Sequence, residues 1–435
     1  MQQDTGDTSG EGGGLRPTGN NRRRISLPSL RTFESFKNPV FRLYYGALLG
    51  QRASANMQMM ARSLLVYHLT GSATILGLMS LANALPMLFL ALFGGVIADR
   101  VQKKYVLLIG QSCSAAISLG IALCLTAGYL SAERAGSWWI LIAASVLQGT
   151  VMGLMVPSRQ AIVPEIVGQK QLMNAIALNN MAMNVLRLIA PAVAGFLIGD
   201  NYNFKAVYFA MTGMYVVAVI FMVFMPRTGK ITAIRRSVFA DILEGLRYVK
   251  SRTTILLLLA FILLVILLSR PYMVLMPIFT EDILMVGPSG MGILMSISGI
   301  GAIIGALILA SLPNRNRGMM LLVGCIILGS ALIGFSFSKS WPLSIALIVL
   351  VGLGQTARMT LGNTLVQYYV DDDYRGRVMS IYTMDFGFTS LGTFFAGLMA
   401  DTAIGVEWTV GGFAMVLVAL TAVVALFLPR IRRLQ

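Results

Sequence analysis

The chain has 435 residues, of which 56% are hydrophobic and 12% are charged, and its formal net charge is +16. Ordinary soluble domains carry about 25% charged residues, so this composition excludes a set of soluble domains and indicates a polytopic membrane protein. A nucleic-acid-binding protein would cluster its basic residues on one soluble face, whereas here they lie in short gaps between apolar runs.

The apolar runs predict an all-α membrane protein, because each is long enough for a helix that crosses the bilayer core. Such a helix needs about 20 mostly apolar residues, and strands are excluded since the runs lack period-two alternation. Residues 1–37 are polar and lack the apolar core of a signal peptide, so they predict a disordered tail. Twelve runs follow, near residues 41–67, 73–98, 105–130, 138–156, 173–199, 206–225, 253–279, 290–312, 319–337, 341–364, 380–400 and 408–428.

Basic residues predict the orientation of these helices. With the N-terminus inside, the inner gaps and tails hold 26 Lys and Arg residues, and the outer gaps hold three. Basic loops stay on the cytoplasmic side, so both termini are predicted to be cytoplasmic, in a prokaryotic-type plasma (inner) membrane.

The longest gap divides the twelve runs into six and six. Its apolar residues fall at helical spacing, which predicts an amphipathic helix on the inner membrane surface that serves as a linker. The predicted organisation is a cytoplasmic tail, a six-helix half, a linker, a second six-helix half and a short tail, at 1–37, 38–226, 227–252, 253–429 and 430–435.

Loops in equivalent positions of the two halves resemble each other. ADRVQKKYVLL follows the second run and PNRNRGMMLLV the eighth, while QAIVPEIV follows the fourth and QYYVDDDY the tenth. Such pairs indicate a parallel internal repeat, and two six-helix halves around a site at the bilayer midplane are a transporter architecture.

The segment GVIADRVQKK (95–104) resembles the signature loop between spans 2 and 3 of the major facilitator superfamily. The resemblance extends over nearly the whole chain after the tail and implies twelve transmembrane helices in two six-helix pseudo-repeats. Carried over by position, Gly95 implies close helix approach, and Asp99 implies a contact with the facing half that locks the outward-open state. The resemblance assigns the inner surface of this lock to Arg100, Lys103 and Lys104. Gln102 stands where the family has a second glycine.

A second motif, APAVAG (190–195), resembles the Gly-Pro-x-x-Gly-Gly pattern in span 5 of exporters in this superfamily. Pro191 and Gly195 match it and imply export, although alanines replace two glycines. An arginine tied to proton coupling in span 4 of related exporters is replaced by Ser145. FRLYYGALLGQ, YHLTGSATILGL and DDYRGRVMSIY resemble the enterobactin-exporter and macrolide-efflux branch. The last stretch contains the residues assigned to the loop between spans 10 and 11, Asp372, Arg375 and Arg377.

Charged residues inside the predicted spans are the main functional signal. An arginine at the centre of a membrane helix costs about 2.5–3.5 kcal/mol on insertion scales, so it persists only where it faces a wet cavity, a partner or the interface. The spans contain Arg52, Arg62, Arg187, Arg270 and Arg358, and one carboxylate, Asp385. The sequence predicts a substrate cavity lined by Arg52, Asn56, Gln58, Arg62, Asn180, Asn184, Arg187 and Arg270. The structural alternative is that these arginines bond to neighbouring carbonyl groups, and Arg270 has the further alternative of extending to the outer interface.

Two interpretations of Arg358 and Asp385 stay open, since both lie in the inner parts of adjacent spans. They form a buried charge pair, or Asp385 carries protons. The positive excess favours an anionic substrate, such as a catecholate or carboxylate siderophore, over a cationic dye. The predicted function is export of a small organic molecule, anionic or drug-like, by alternating access with proton coupling. Lipid or lysolipid translocation by the same fold is the alternative.

An intramembrane enzyme is the rival class. A hydrolase needs a dyad, a triad or a metal site. The one histidine, His68, is predicted to be solvated in an outer loop, and the chain has no Gly-Lys-Ser/Thr phosphate loop. The sequence therefore predicts no catalytic residue, metal or cofactor. The expected partners are a small-molecule substrate, the lipid bilayer and protons, with no nucleic acid, and the chain is expected to be a monomer.

Overall fold

The computed structural model describes residues 31–134, 136–227, 238–313, 315–382, 385–432 and 434, without the side chains of 31, 32, 92, 96, 98, 99, 238–242, 385 and 386. Most of the predicted N-terminal tail lies outside this range. Regular structure in the described residues is helical throughout, as predicted. A 3₁₀ turn (Arg31–Lys37) precedes α1 (Pro39–Thr70), α2 (Ala73–Arg100), α3 (Lys103–Thr126), α4 (Trp139–Ile198), α5 (Phe204–Phe224), α6 (Val238–Ser251), α7 (Thr253–Ser269), α8 (Pro271–Val274), α9 (Met276–Ile278), a π turn (Phe279–Ile283), α10 (Gly287–Ser311), α11 (Arg317–Ser336), α12 (Trp341–Tyr369), α13 (Asp372–Tyr382), α14 (Asp385–Ala400), α15 (Gly405–Phe427) and α16 (Pro429–Arg432).

Nine helical segments in the described part of the chain are long and apolar enough to cross a membrane. This confirms a helical, multi-pass membrane protein. The helix α1 falls outside the set because polar residues interrupt its apolar sequence, and α14 falls outside it because it has only 16 residues.

The helix α4 contains two antiparallel arms. Its 60 residues would reach about 90 Å if straight, about three times the hydrocarbon thickness of a bilayer. The chain turns at Gly168, whose φ of 66° is a conformation that favours glycine. Helix continues on both sides of this turn, so residues 157–172, which were predicted to be a loop, are helical instead. Pro157 and Pro164 lie inside the first arm, since neighbouring helices and side chains can satisfy the backbone groups that proline frees in a membrane protein.

Two other predicted spans are interrupted. The run 253–279 divides into α7, α8 and α9, because Pro271 and Pro277 lack an N–H; Pro271 is the first residue of α8 and Pro277 the second residue of α9. The run 380–400 begins later than predicted. Its first residues belong to α13, and α14 starts at Asp385.

Contacts between helix ends define two faces of the molecule. The face at which α1 begins is called the N-terminal face, and the face at which α1 ends is called the far face. At the N-terminal face Asn38 donates a hydrogen bond to the Ile166 carbonyl at 2.9 Å, and Lys104 donates one to the Val223 carbonyl at 2.9 Å. At the far face the Ser72 hydroxyl donates to Asp401 at 2.6 Å.

The helices form two groups that meet along two seams. The N-terminal group contains α1–α5, and the C-terminal group contains α7–α15. One seam joins α2 to α14, where the Ser80 and Ser390 hydroxyls lie 3.2 Å apart. The other joins α10 to the second arm of α4, near Gly195 and Gly292. These contacts close the space between the groups towards the far face.

Candidate functional site

Three arginines from different helices line one cavity between the two helix groups. Arg187 comes from the second arm of α4, Arg270 from the junction of α7 and α8, and Arg358 from α12. The free space between the side chains, including its open mouth, is about 280 Å³. Most of that space belongs to the open mouth, and the enclosed part is about 20 Å³, so in this conformation the arginines surround a narrow cleft with room for about one water molecule. Its wall is completed by Ser298, Ala302, Gly352, Gln355, Thr356 and Met359.

The cavity is strongly cationic, because arginine keeps its charge in proteins. Arg187 and Arg270 are close enough to interact electrostatically, and Tyr272 lies near both. Arg358 is 1% exposed, and its Nε donates to Gln355 Oε1 at 3.4 Å. Arg270 Nε and Gln355 Nε2 are buried donors without a hydrogen-bond partner among the described residues. Such donors beside two like charges suit an anionic ligand with several acceptor oxygens.

The helix break at Pro271 brings Arg270 into this cavity. Arg270 ends α7, and Pro271 starts α8. Interrupted helices near the midplane are a common way for transporters to build a binding site. Arg270 therefore lies on the cavity wall, and the alternative of extending to the outer interface does not describe this structure.

Asn180 and Asn184 lie on the same arm of α4, about two turns and one turn before Arg187, respectively. Both side chains are exposed, whereas Arg187 is only partly exposed. Along this arm they lie between Arg187 and the N-terminal face.

The predicted cavity residues of α1 lie elsewhere, inside the N-terminal group. Arg62 Nη1 donates to Ser145 Oγ at 3.5 Å and interacts with Tyr208 and Tyr215. Gln58 is 6% exposed. The Asn56 side chain donates to the backbone carbonyl of its own helix at 2.8 Å. The single eight-residue cavity predicted from the sequence is therefore divided in the structure.

A sixth intramembrane arginine, Arg159, was missed by sequence reasoning. It lies in the first arm of α4, two residues after Pro157, in the segment predicted to be a loop. It interacts electrostatically with Arg52, Tyr44 and Tyr215. The sequence does contain a signal that the helix continues past Pro157: membrane helices tolerate proline, and the apolar pattern resumes after this residue.

The loop between α2 and α3 ties helices of the N-terminal group together. Lys103 forms an ion pair with Glu165 at 2.6 Å, and Arg100 is exposed. The glycine assignment needs correction: a Cβ on Gly95 would meet nothing within 4 Å, whereas one on Gly94 would lie 2.7 Å from the Gly153 carbonyl oxygen. The side chain of Asp99 lies outside the described residues, so its locking contact stays a prediction.

Two further predictions concern the membrane interior, the span 5 motif and the carboxylate Asp385. Pro191 and Gly195 lie where α4 and α10 approach most closely, and the Pro191 carbonyl faces Gly292. Asp385 begins α14, but its side chain lies outside the described residues. Whether it pairs with Arg358 or carries protons therefore stays open.

The linker helix α6 packs against α13. The Tyr248 and Tyr374 rings stack with centroids 4.3 Å apart, and Tyr248 Oη accepts a hydrogen bond from the Asp371 N–H at 3.1 Å. Arg377 forms an ion pair with Glu244 at 2.8 Å, while Arg375 pairs with Asp372 within α13 at 2.5 Å. The linker is thus attached to the C-terminal group and is more than a surface helix.

Replacing Tyr248 with alanine is expected to release α6 from α13. The substitution removes a stacked pair, worth about 0.5–1.5 kcal/mol, and one hydrogen bond. Amide hydrogen exchange of residues 243–251 should become faster by about tenfold. Arg247→Ala, at an exposed position of the same helix, is the control. Equal exchange in both variants would show that α6 is held by other contacts.

The far face is closed by hydrogen bonds that join the two groups. Tyr67 donates to Asp282 and Tyr202 donates to Glu281. His68 lies in the last turn of α1, not in a loop as predicted, and stacks on Tyr202 with centroids 4.5 Å apart. Burial and the acceptor Glu281 raise the pKa of Tyr202 to about 12, so this hydroxyl remains a donor at neutral pH.

Asp401 caps the start of α2 from the other group. Its oxygens accept hydrogen bonds from the Ala73 and Thr74 N–H groups at 2.8 Å. Burial raises the pKa of this carboxyl, but the hydrogen bonds from Ser72, Thr74 and Ala73 together outweigh burial and leave the pKa below its ordinary value. The closed far face therefore stabilises the ionised form.

Replacing Asp401 with asparagine is expected to favour opening of the far face by about 1 kcal/mol, or about fivefold in the closed-to-open ratio. Closure lowers this pKa, so the contact favours closure above the ordinary carboxyl pKa and is lost as pH falls through the lowered value. The effect should therefore be constant between about pH 5 and 8. Spin labels at Ala132→Cys and Lys339→Cys, with the native cysteines replaced, would report the ratio. A difference between the variant and the wild type that changed steadily over this pH range would contradict the assignment.

No group of three or more His, Cys, Asp or Glu residues that could hold a metal ion occurs in the described part of the chain.

Comparisons of the sequence with known protein families and with individual proteins agree with one another. A profile described as transmembrane secretion effector matches residues 30–434. The staphyloferrin A transporter of Staphylococcus aureus is 28% identical over 78% of this chain and 83% of its own length. The multidrug efflux pump Tap of Mycolicibacterium fortuitum is 25% identical over 92% and 98%, and the enterobactin exporter EntS of Shigella boydii is 26% identical over 82% and 83%.

Solved structures show the same fold at low sequence identity. A peptide transporter of the POT family superposes with a TM-score of 0.72 at 15% identity, over 92% of this chain and 96% of that one. The nucleoside transporter NupG superposes with a TM-score of 0.71 at 14% identity, over 88% and 99%.

Proposed function

The chain belongs to the transmembrane secretion effector family of the major facilitator superfamily, and we propose that it exports a small anionic organic molecule by alternating access. Membership confirms the predicted superfamily and a membrane-embedded transporter of small molecules rather than an enzyme. The observation that carries the proposal is the cavity shared by Arg187, Arg270 and Arg358.

The proposed topology has twelve spans in two six-helix halves, with both termini in the cytoplasm of a bacterial cell. It counts α1, the two arms of α4, and α14 as crossings beside the helices that meet the length and composition criteria. The excess of Lys and Arg at the N-terminal face supports the orientation. The far face is then extracellular, and the closed seams describe an inward-facing state. We expect the protein to act as a monomer.

The proposed substrate carries at least one carboxylate, catecholate or similar anionic group. Five arginines lie in the predicted spans against one carboxylate, and low-dielectric walls strengthen the attraction of such a cavity for anions. The names of two relatives, the staphyloferrin A transporter and the enterobactin exporter, support a siderophore-like substrate. The span 5 motif with Pro191 and Gly195 supports export.

Proton coupling through Asp385 is the proposed energy source. It is the only acidic residue in the membrane interior of the predicted spans, and intramembrane carboxylates commonly serve as proton relays. Asp385→Asn is expected to abolish pH-driven transport while substrate binding persists. Normal proton coupling in this variant would exclude Asp385 as the carrier.

The test of the substrate class is thermal stabilisation of the purified protein by a panel of anionic, neutral and cationic small molecules at two pH values. A ligand raises Tm according to how far its concentration exceeds its Kd. Stabilisation by organic anions, with the response lost in Arg187→Gln, would support the proposal. Stabilisation by cations or neutral amphiphiles, equal in both proteins, would identify a broad drug exporter with structural arginines.

A further inference from the structure

The second arginine cluster lies inside the N-terminal group, apart from the central cavity. Arg52 of α1 and Arg159 of α4 are close enough to interact electrostatically, although both are cations. Tyr44 lies near both arginines and near Asn179. Neither arginine forms an ion pair with an acidic group in the described part of the chain.

Several polar atoms of this cluster are buried without a partner. Arg52 Nε, Arg159 Nη2, Tyr215 Oη and Asn179 Oδ1 have no hydrogen bond among the described residues. Three of these four atoms carry hydrogens to donate. A buried donor without an acceptor has lost its hydrogen bonds to water without a replacement, which destabilises the fold. Two neighbouring guanidinium groups also repel each other. An oxyanion placed between them would correct both deficits.

We propose that Arg52 and Arg159 form a second anion site, which binds a carboxylate or phosphate-type oxyanion. Its donors are the two guanidinium groups and the Tyr215 hydroxyl. Arginine suits this role because its planar fork can donate two parallel hydrogen bonds to one oxyanion.

The location of the site assigns it a place on the transport route. Asn179 precedes Arg187 by eight residues on one helix, a rise of about 12 Å towards the far face. The exposed amides of Asn180 and Asn184 lie between these levels. The site therefore lies about 12 Å nearer the N-terminal face than Arg187, so an anion that enters from that face reaches this level before the central cavity. This second statement rests on the proposed function, whereas the anion site itself does not.

The test compares inorganic phosphate with chloride at equal ionic strength, on the full chain in phosphatidylcholine nanodiscs. Phosphate is expected to raise Tm by a few degrees. In Arg159→Gln and in Arg52→Gln the apparent Kd for phosphate should rise by about 10- to 100-fold, and Tm without phosphate should stay equal or increase, because a repulsive charge is gone. Arg159→Lys should give an intermediate Kd, and Arg315→Gln, at an exposed position of the N-terminal face, should leave it unchanged.

Other outcomes separate the sources of the anion. If phosphatidylglycerol nanodiscs abolish the phosphate response of the wild type while raising its Tm, and Arg159→Gln removes that rise, a lipid headgroup fills the site. A wild type that does not respond to phosphate in phosphatidylcholine overturns the proposal. A lower Tm of both Gln variants, with an unchanged phosphate response, also overturns it and makes the arginines structural.

The same measurements distinguish this inference from the proposed function. Arg187→Gln should keep the phosphate response of the second site while it loses stabilisation by organic anions. If no organic anion stabilises the wild type but phosphate acts through Arg159, the proposed substrate class fails and the second site stands.

Discussion

Replacing Arg187 with glutamine is expected to weaken binding of the anionic substrate by at least about 30-fold and to reduce its transport to the background rate. Removing one member of a desolvated charge pair typically costs about 2–5 kcal/mol. Glutamine has a similar length and retains hydrogen-bonding capacity, so the change mainly removes charge. Substrate-dependent thermal stabilisation and flux into inverted vesicles would measure the two effects.

Arg187→Gln should weaken substrate binding without destabilising the protein. Arg187 and Arg270 repel each other in the cavity without substrate, so Arg187→Gln should not lower Tm and should raise it slightly. A structural arginine that bonds to neighbouring carbonyl groups would lower Tm on replacement. Arg187→Lys keeps the charge and should retain part of the affinity, because a lysine cannot form the bidentate contact. Unchanged affinity in the Gln variant, or a clear fall in Tm, would contradict a substrate-binding role.

The fold was predictable from the sequence because its determinants are local. The length of each apolar run and the charge of each gap are properties of short segments, and they predict spans and orientation without tertiary information. The helical spacing of Leu246 and Val249 likewise predicted α6. The partner of α6 was not predictable, since Tyr248 and Tyr374 are more than 100 residues apart and meet only in the folded protein.

The candidate site was predictable in kind but not in arrangement. The cost of an intramembrane charge identified five of the six arginines. Arg159 was missed because a proline two residues earlier was interpreted as the end of a span, whereas the helix continues to Gly168. Which arginines share a cavity depends on the rotation of each helix about its axis. For this reason Arg187 lies with Arg270 and Arg358, and Arg52 lies with Arg159.

Gly195→Ala is expected to shift the protein towards an open far face and to slow transport by about tenfold or more. A Cβ at this position would lie 2.6 Å from the Pro288 carbonyl oxygen and 3.1 Å from the Gly292 Cα. Both are backbone atoms of the facing group, so no side-chain rotation relieves the clash. Overpacking of this kind costs about 1–3 kcal/mol, a factor of about 5–150 in an equilibrium constant.

The strain falls on the closed state because this contact joins the two groups. Opening the far face separates α4 from α10 and removes the clash, while each helix group keeps its own core. The variant should therefore fold, and labels at Ala132→Cys and Lys339→Cys should report a longer mean distance than in the wild type. Gly213→Ala is the matched control, because a Cβ there meets nothing within 4 Å and alanine favours helix.

Gly292, which faces Gly195 across the contact between α4 and α10, provides a stricter test of this role. A Cβ on Gly292 would lie 2.6 Å from the Pro191 carbonyl oxygen, in the same contact. Gly292→Ala should therefore open the far face to a similar extent. The double variant should add much less than the sum of the two, because a seam that is already open no longer contains either clash. Full additivity, or unchanged label distances in both single variants, would show that closure of the far face does not depend on this contact.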